Sequence, residues 1–180
     1  MTTYIALLRG INVSGQKLIK MALLREALEK LNYQNIRTYI QSGNIVFNSP
    51  EKALDTLASE IKGLILADFG FDVPVLVIQS ERLKRIVAEN PFANEDLKRV
   101  YVALLYTAPT PERLELINAI DISPEAFAIE GEDMYLFSPL GAAKSKLTNN
   151  FIEQKLKVSA TTRNWNTINK LISMADESAV

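Results

Sequence analysis

The chain has 180 residues, and none of them is cysteine or histidine. Without a thiol there is no disulfide, no cysteine nucleophile, no iron–sulfur cluster and no cysteine-type zinc site. Without an imidazole there is no Ser-His-Asp triad, no histidine metal ligand and no side chain with an ordinary pKa near neutrality. Acid–base chemistry would therefore depend on Asp, Glu, Lys or Tyr with a shifted pKa.

The sequence also lacks a large excess of charge, since 20 basic and 21 acidic residues give a formal net charge of −1. This balance excludes a globally basic nucleic-acid-binding protein but leaves a local basic patch open. No apolar run approaches the roughly 20 residues that span a bilayer. The N-terminus enters a strand-like run at Tyr4 without the basic region of a signal peptide. We therefore expect a cytoplasmic protein with no membrane contact.

The first half of the chain alternates strand-like and helix-like patterns in the order βαββαβ. Leu24, Leu28 and Leu31 follow the period of an amphipathic helix that begins near Met21. The turn residues 42–44 separate two strand-like runs as in a hairpin. Strands are expected at residues 4–8, 36–41, 45–47 and 73–78, with a second helix that ends at Gly70. This order is that of a ferredoxin-like lobe.

Two segments share the signature of a helix start. Ser49-Pro50-Glu51 and Thr110-Pro111-Glu112 each place a hydroxyl side chain before a proline and an acid. These residue types suit the N-cap, the first helical position and the first turn of a helix. We therefore expect a helix to begin at each segment.

The second half of the chain repeats the first in part. Strands are expected at 100–106, 126–130 and 133–137, with helices after Thr110, over 146–157 and from about Asn164. We predict an α+β fold of two ferredoxin-like (βαββαβ-type) lobes with an extra C-terminal helix. The first lobe covers residues 1–90, and residues 91–180 form a βαββα lobe plus the final helix.

The connection after the first strand, Arg9 to Lys20, is longer than the typical length of about four to six residues. It carries Arg9, Lys17 and Lys20, has no acid, and leads into a helix N-terminus, where backbone amides favour an anion. The first crossover of the lobe makes strands one and two parallel, so this loop should meet the turn 41–44. Two interpretations stay open, a phosphate or carboxylate cradle and an ordinary structured loop whose glycines permit positive φ.

The turn Gln41-Ser42-Gly43-Asn44 also has two interpretations. Gly and Asn tolerate left-handed backbone, which favours a plain hairpin turn. Alternatively, Gln41, Ser42 and Asn44 supply neutral hydrogen bonds to a ligand that Arg9 attracts.

The segment 161–167 gathers Arg163, Asn164 and the single tryptophan, Trp165, near a helix start. Arginine suits bidentate recognition of an anion, and a tryptophan beside it can stack on a base. Trp165 also falls on the apolar stripe of the last helix, which favours packing in the core.

Opposite charges are segregated near the C-terminus. Residues 140–170 carry six basic side chains and one acid, whereas residues 121–139 carry five acids and no base. The basic stretch either attracts phosphates or is a solvated face that the acidic stretch neutralises. The acidic turn 130–133 lacks the ligand spacing of a calcium loop, so it indicates an exposed turn, and no metal site is predicted.

Three motifs resemble, in the same order, those of the bacterial family catalogued as domain of unknown function 1697. They are Leu8-Arg9-Gly10-Ile11-Asn12-Val13, Thr38-Tyr39-Ile40-Gln41-Ser42-Gly43-Asn44 and Ala160-Thr161-Thr162-Arg163-Asn164-Trp165-Asn166-Thr167. The likeness covers about residues 4–175, with Ser14-Gly15 where the family has a glycine pair. The resemblance implies two ferredoxin-like lobes and no established activity.

From these observations we predict a binding protein for a phosphate-bearing ligand, either a nucleotide or single-stranded nucleic acid, held in a polar cleft between the lobes. Two alternatives stay open, an enzyme that uses the same cleft without histidine or cysteine, and a protein-interaction or structural module. No cofactor is predicted. The predicted ligand-binding residues are Arg9, Asn12, Lys17, Lys20, Gln41, Ser42, Asn44, Arg163, Asn164 and Trp165.

Overall fold

The structure is a computed structural model that describes residues 1–178. By internal packing the chain divides into two units, one formed by Met1–Arg85 with the end of the chain from Lys170, and one formed by Ile86–Asn169. Each unit contains a four-stranded sheet. None of the helices in the described part of the chain combines the length and the apolarity needed to cross a membrane.

The first unit follows the predicted order of elements. In chain order these are β1 (Thr2–Leu8), α1 (Met21–Glu29), β2 (Gln34–Tyr39), β3 (Asn44–Ser49), α2 (Leu54–Phe69) and β4 (Val75–Ile78). The sheet order is β2-β3-β1-β4, and every neighbouring pair is antiparallel. Strands β1 and β2 therefore run in the same direction, and their C-terminal ends lie at the same edge of the sheet.

The core of the first unit joins the sheet to the apolar faces of its two helices. Leu24 and Leu28 of α1 and Ile61 of α2 are completely buried in it. The rings of Tyr33 and Phe47 stack within this core, with centroids 4.5 Å apart. The helical period read from the sequence thus identifies the buried face of α1.

The second unit repeats this topology in full. After α3 (Ser80–Ala88), its elements are β5 (Val100–Leu105), α4 (Pro111–Asn118), β6 (Ala126–Glu130), β7 (Asp133–Phe137), α5 (Asn149–Leu156) and β8 (Ala160–Asn164), and helix α6 (Trp165–Ser178) follows. The sheet order β6-β7-β5-β8 matches that of the first unit element for element. The predicted α+β fold with two ferredoxin-like lobes and an extra C-terminal helix is confirmed.

Strand β8 was not predicted, since the sequence indicated a βαββα lobe there. Residues Ala160–Asn164 pair with β5, and Arg163 lies opposite Val102. The strand is five residues long and leads directly into α6, so the helical period of the following residues dominates the local pattern. The adjacent β-branched residues Thr161 and Thr162 are the signal that favours a strand.

One of the two expected helix starts is wrong. Thr110 is the N-cap of α4, and Pro111 is its first residue, as predicted. Ser49, by contrast, is the last residue of β3, lies fully buried and pairs with Thr2, so α2 begins only at Leu54. The ladder with β1 holds this serine in the sheet, and tertiary pairing overrides the local capping signal.

Candidate functional site

The loop after β1 is a small hairpin rather than an open cradle. Val13 and Gln16 form an isolated antiparallel bridge, and the Gln16 amide donates to the Val13 carbonyl over 2.9 Å. Between them Ser14 (φ 50°) and Gly15 (φ 73°) both have positive φ, as a type I′ turn requires. The length of the connection is thus explained by structure of its own.

Asn12 closes this hairpin and ties it to the neighbouring turn. Its Nδ2 donates to the carbonyls of Ile19 (3.0 Å) and Gln41 (2.8 Å). Its Oδ1 accepts from the Ile19 amide over 2.8 Å. Both amide hydrogens and the carbonyl oxygen are used in these contacts, so the Asn12 side chain organises the loop.

The turn after β2 braces the end of β1. The Leu8 amide donates to the Gly43 carbonyl over 2.8 Å. Gly43 has φ 82°, and a Cβ at this position would lie 2.5 Å from the Leu8 Cβ, so only glycine fits. The Nδ2 of the buried Asn44 donates to the Tyr39 carbonyl (3.1 Å) and to the Ser42 hydroxyl (2.9 Å). The predicted meeting of the loop with this turn is confirmed.

The backbone of the loop and turn is held in an unusual conformation. Four of the seven non-glycine residues with positive φ among residues 1–178 lie here: Asn12, Ser14, Lys17 and Ile40. Ile40 is β-branched and half exposed, so neither its residue type nor burial favours its φ of 49°. The surrounding hydrogen bonds keep it there, and such strain is concentrated at functional sites in proteins.

The basic residues of the loop occupy different positions. The Lys17 ammonium donates to the Asp72 carbonyl over 2.6 Å. The Arg9 amide donates to the Pro74 carbonyl over 3.0 Å. Exposed Lys20 is the N-cap residue of α1, which has no side-chain cap and no acid in its first turn. The dipole of α1 is therefore left without a negative partner within its first turn.

Arg163, Asn164 and Trp165 belong to the second unit, and each has a structural role there. Arg163 is buried and donates to the Thr161 hydroxyl (2.8 Å) and the Thr162 carbonyl (2.9 Å). Burial lowers the pKa of Arg163 to about 10, so the guanidinium is charged at neutral pH. Asn164 accepts from the Thr167 amide over 2.8 Å and caps α6, and the Trp165 ring is buried. Ligand binding by the ten predicted residues stays a prediction.

A groove that was not predicted runs along β2 in the first unit. Its volume is about 390 Å³. Three cationic side chains line it against a single carboxylate, that of Glu177. The lining residues are Arg25, Ile36, Arg37, Thr38, Tyr39, Lys170, Met174 and Glu177.

The end of α6 neutralises one of these three cations. Arg37 Nη1 donates to Glu177 Oε2 over 2.8 Å, and Nη2 donates to the Met174 carbonyl and the Ser178 hydroxyl. The hydrogen bond from Arg37 and a second one from Ser173 hold the pKa of the Glu177 carboxyl below its usual value. This ion pair fixes the guanidinium of Arg37 and forms one wall of the groove.

The other two cations keep donors available. Arg25 Nη1 donates to the Thr38 hydroxyl over 2.6 Å, which orients the guanidinium, while its remaining N–H groups have no partner among residues 1–178. The Lys170 ammonium makes no hydrogen bond or short ion pair with the described residues, and its charge contributes to the lowered pKa of Glu177. Sequence reasoning did not name Arg25 and counted Lys170 only as part of the basic stretch 140–170, because on the polar face of an amphipathic helix a solvated charge is the ordinary expectation.

A separate charge cluster of the first unit lies outside the groove. Glu60 accepts from the Tyr33 hydroxyl (2.7 Å) and from the Lys52 ammonium (2.7 Å). These two hydrogen bonds lower the pKa of Glu60. No group of three acidic side chains that could hold a metal ion is present in the part of the chain that the structure describes.

A family model and a solved structure are similar to this chain. A family model described as "Protein of unknown function (DUF1697)" matches residues 1–135, which include the loop, the turn and Arg25 but not Arg163. The structure of the conserved bacterial protein SP0830 from Streptococcus pneumoniae is similar, with a TM-score of 0.75 and 24% identity over 97% of this chain and 98% of that chain. No curated protein matches the chain.

Proposed function

We propose a function for this chain, which belongs to the DUF1697 family: its first unit binds a phosphate-bearing ligand, either a nucleotide or a short single-stranded nucleic acid, in the groove along β2. The observation that carries the proposal is the pair of cations, Arg25 and Lys170, with donors unused by the described residues. Arginine presents a planar fork that suits phosphate oxygens, and lysine adds a mobile point charge.

The volume and lining of the groove favour a ligand that carries an aromatic base as well as a phosphate. Its volume of about 390 Å³ lies within the usual range for small-molecule sites. Tyr39 lines the same groove and offers a ring on which a base can stack. The hydroxyl of Thr38 holds Arg25 in place, so part of the entropy cost of ordering that side chain is already met.

Asn12 and Asn44 of the sequence motifs support the groove indirectly, through the backbone at the end of β2. Asn44 donates to the Tyr39 carbonyl, and Asn12 donates to the Gln41 carbonyl two residues further along the chain. These bonds fix the end of β2, from which Tyr39 projects. The motifs therefore hold the strand that lines the groove, while the charged groups come from α1, β2 and α6.

The test is a titration of a nucleotide panel and a short oligonucleotide at low and high salt. We expect binding that weakens as salt rises, because phosphate contacts release counterions. The double variant Arg25→Gln with Lys170→Gln should weaken binding by about tenfold or more, as loss of charge-assisted hydrogen bonds does.

A matched control removes two positive charges elsewhere on the same unit. Lys30 and Lys62 are exposed and pair with Asp68 and Asp72. The double variant Lys30→Gln with Lys62→Gln should bind nearly as well as the natural protein. Absence of salt-dependent binding for every ligand of the panel, or an equal loss in both double variants, overturns the proposal.

A further inference from the structure

The second unit contains a pocket of about 170 Å³ that the proposed groove does not involve. It opens beside β5, β7 and β8 and is bounded by the segment from Ser138 to Asn149. The volume suits a single small ring, since it is below the roughly 300–1,000 Å³ of sites for drug-sized ligands. The lining residues carry no charge: Tyr101, Leu136, Ser138, Ala142, Ser145, Leu147, Thr148, Asn149 and Thr162.

Two serines of the pocket use their hydroxyl hydrogens in internal contacts. The hydroxyls of Ser138 and Ser145 both donate to Glu125 Oε2, and they also lie 3.1 Å from each other. Two hydroxyl hydrogens thus serve three short contacts, and neither hydrogen is left for a ligand. The Ser145 oxygen already accepts from the Leu147 amide over 3.0 Å, so Ser138 supplies the lone pairs for a ligand, which must bring an N–H or O–H donor to meet them.

The carboxylate behind the serines is held in its charged form. Burial raises the pKa of Glu125, but hydrogen bonds from the Lys146 amide and from the hydroxyls of Ser145 and Ser138 outweigh this effect and leave it below the usual value. The Lys146 amide donates to Glu125 Oε1 over 2.7 Å. The negative charge lies one hydroxyl away from the pocket and favours positive ligand hydrogens there.

Asn149 gives the lining of the pocket a hydrogen-bond donor. Asn149 Oδ1 accepts from the Thr162 hydroxyl over 2.6 Å, which orients the amide. Its Nδ2 group has no acceptor among residues 1–178. The ring of Tyr101 and the side chains of Leu136 and Leu147 also line the pocket. The pocket lining therefore combines a hydroxyl acceptor, an amide donor and apolar surfaces.

We propose that this pocket binds a free nucleobase or a closely similar uncharged heterocycle. Such a ring has two flat apolar faces, with N–H donors and carbonyl or ring-nitrogen acceptors around its edge. Anions find no cation in the lining. A monosaccharide carries hydroxyls around its whole ring and would leave several of them against Leu136 and Leu147 without partners.

The test is two-dimensional NMR of the full chain titrated with five free bases, with ribose and glucose as the competing class. We expect a base to shift the resonances of Tyr101, Ser138, Asn149 and Thr162 before those of other residues. Absence of saturable shifts there at millimolar base, or saturable shifts with a monosaccharide instead, overturns the proposal.

The variant Asn149→Asp sharpens the test, because it replaces the Nδ2 donor by an acceptor at nearly constant volume. Asn149 is the first residue of α5, a position that tolerates an acid well. We expect at least tenfold weaker binding of the base. Asn150→Asp adds the same charge one residue later, outside the lining, and should bind like the natural protein. An unchanged affinity in Asn149→Asp overturns the assignment.

The two proposals are separable. A free base has no phosphate, so the variant Arg25→Gln with Lys170→Gln should leave base binding in the second unit unchanged. If the double variant loses base binding as much as it loses binding of the phosphate-bearing ligand, the present proposal is overturned and the groove along β2 is the binding site.

Discussion

Asn12 Nδ2 lies 2.8 Å from the carbonyl oxygen of Gln41, and this contact joins the loop after β1 to the turn after β2. The two segments are 29 residues apart in the chain. Both lie within the residues that the family model matches, and the contact gives the conformation of these two segments a physical reason. The side chain replaces backbone pairing where the sheet has ended, since Ile19 and Gln41 find their partners on Asn12.

The variant Asn12→Gly should destabilise the first unit by about 2 kcal/mol, because it removes three hydrogen bonds of about 1 kcal/mol each while glycine still accepts the positive φ. The measurement is the free energy of unfolding in urea. Ser14→Gly is the control, since Ser14 also has positive φ but makes no side-chain hydrogen bond among the described residues. It should be neutral or slightly stabilising. Equal effects of the two variants contradict a bonding role for Asn12.

Gly43→Ala and Gly15→Ala should differ sharply although both glycines have positive φ. Gly15 faces open space, so alanine there costs only the strain of placing a residue with a Cβ in left-handed backbone, about 1 kcal/mol. At Gly43 the new Cβ would also lie 2.5 Å from the Leu8 Cβ, and the cost should reach about 3 kcal/mol or more. The midpoint of chemical denaturation distinguishes the two. Similar midpoints would show that the turn moves away from β1 freely.

These positions show what the sequence could predict. The period of Leu24 and Leu28 identified the buried face of α1, and Gly70 marked the end of α2 with φ 73°. The chain order alone predicted that the ends of β1 and β2 share one edge. Each of these inferences rests on local pattern or on the handedness of a crossover, which are properties of short stretches of chain.

The groove along β2 could not be predicted in this way. Its ion pair joins Arg37 to Glu177 across 140 residues, and neither residue belongs to a charge pattern that distinguishes it from a solvated surface. The helix start predicted at Ser49 was wrong for a related reason, because pairing with Thr2 overrides the capping signal of this serine. Long-range partners decide both cases, and the local patterns of a single sequence do not show which distant side chains pair.

Arg163 gives a third prediction, which separates a structural role from a ligand-binding one. Arg163→Ala should lower the stability of the second unit by about 3 kcal/mol, since it leaves a cavity and removes the bonds to Thr161 and Thr162. Arg163→Met keeps most of the volume and removes the cost of burying a charge, so it should be clearly less destabilising. The measurement is thermal unfolding of the two variants. Unchanged melting of Arg163→Ala, with loss of anion binding, would instead assign Arg163 to a ligand site.

The pH dependence of stability gives a fourth prediction, centred on Glu60. Hydrogen bonds from Lys52 and Tyr33 lower the pKa of Glu60 in the folded protein relative to its usual 4.5. A lowered folded pKa means that the unfolded chain binds more protons in this range. The stabilisation is therefore fully present above the unfolded pKa and is lost as the pH falls through the folded pKa. The pair is partly exposed, so the loss amounts to about 1 kcal/mol or less.

The variant Glu60→Gln isolates this contribution, because glutamine keeps the shape of the side chain but does not titrate. We expect the free energy of unfolding of the natural protein to fall more steeply between pH 6 and 3 than that of Glu60→Gln, with the two curves approaching each other at low pH. Glu26→Gln, on the exposed face of α1, is the control and should leave the pH profile of the natural protein unchanged. Parallel curves for the natural protein and Glu60→Gln would mean that the hydrogen bonds from Lys52 and Tyr33 stabilise the charged and neutral carboxyl equally, which contradicts the lowered pKa.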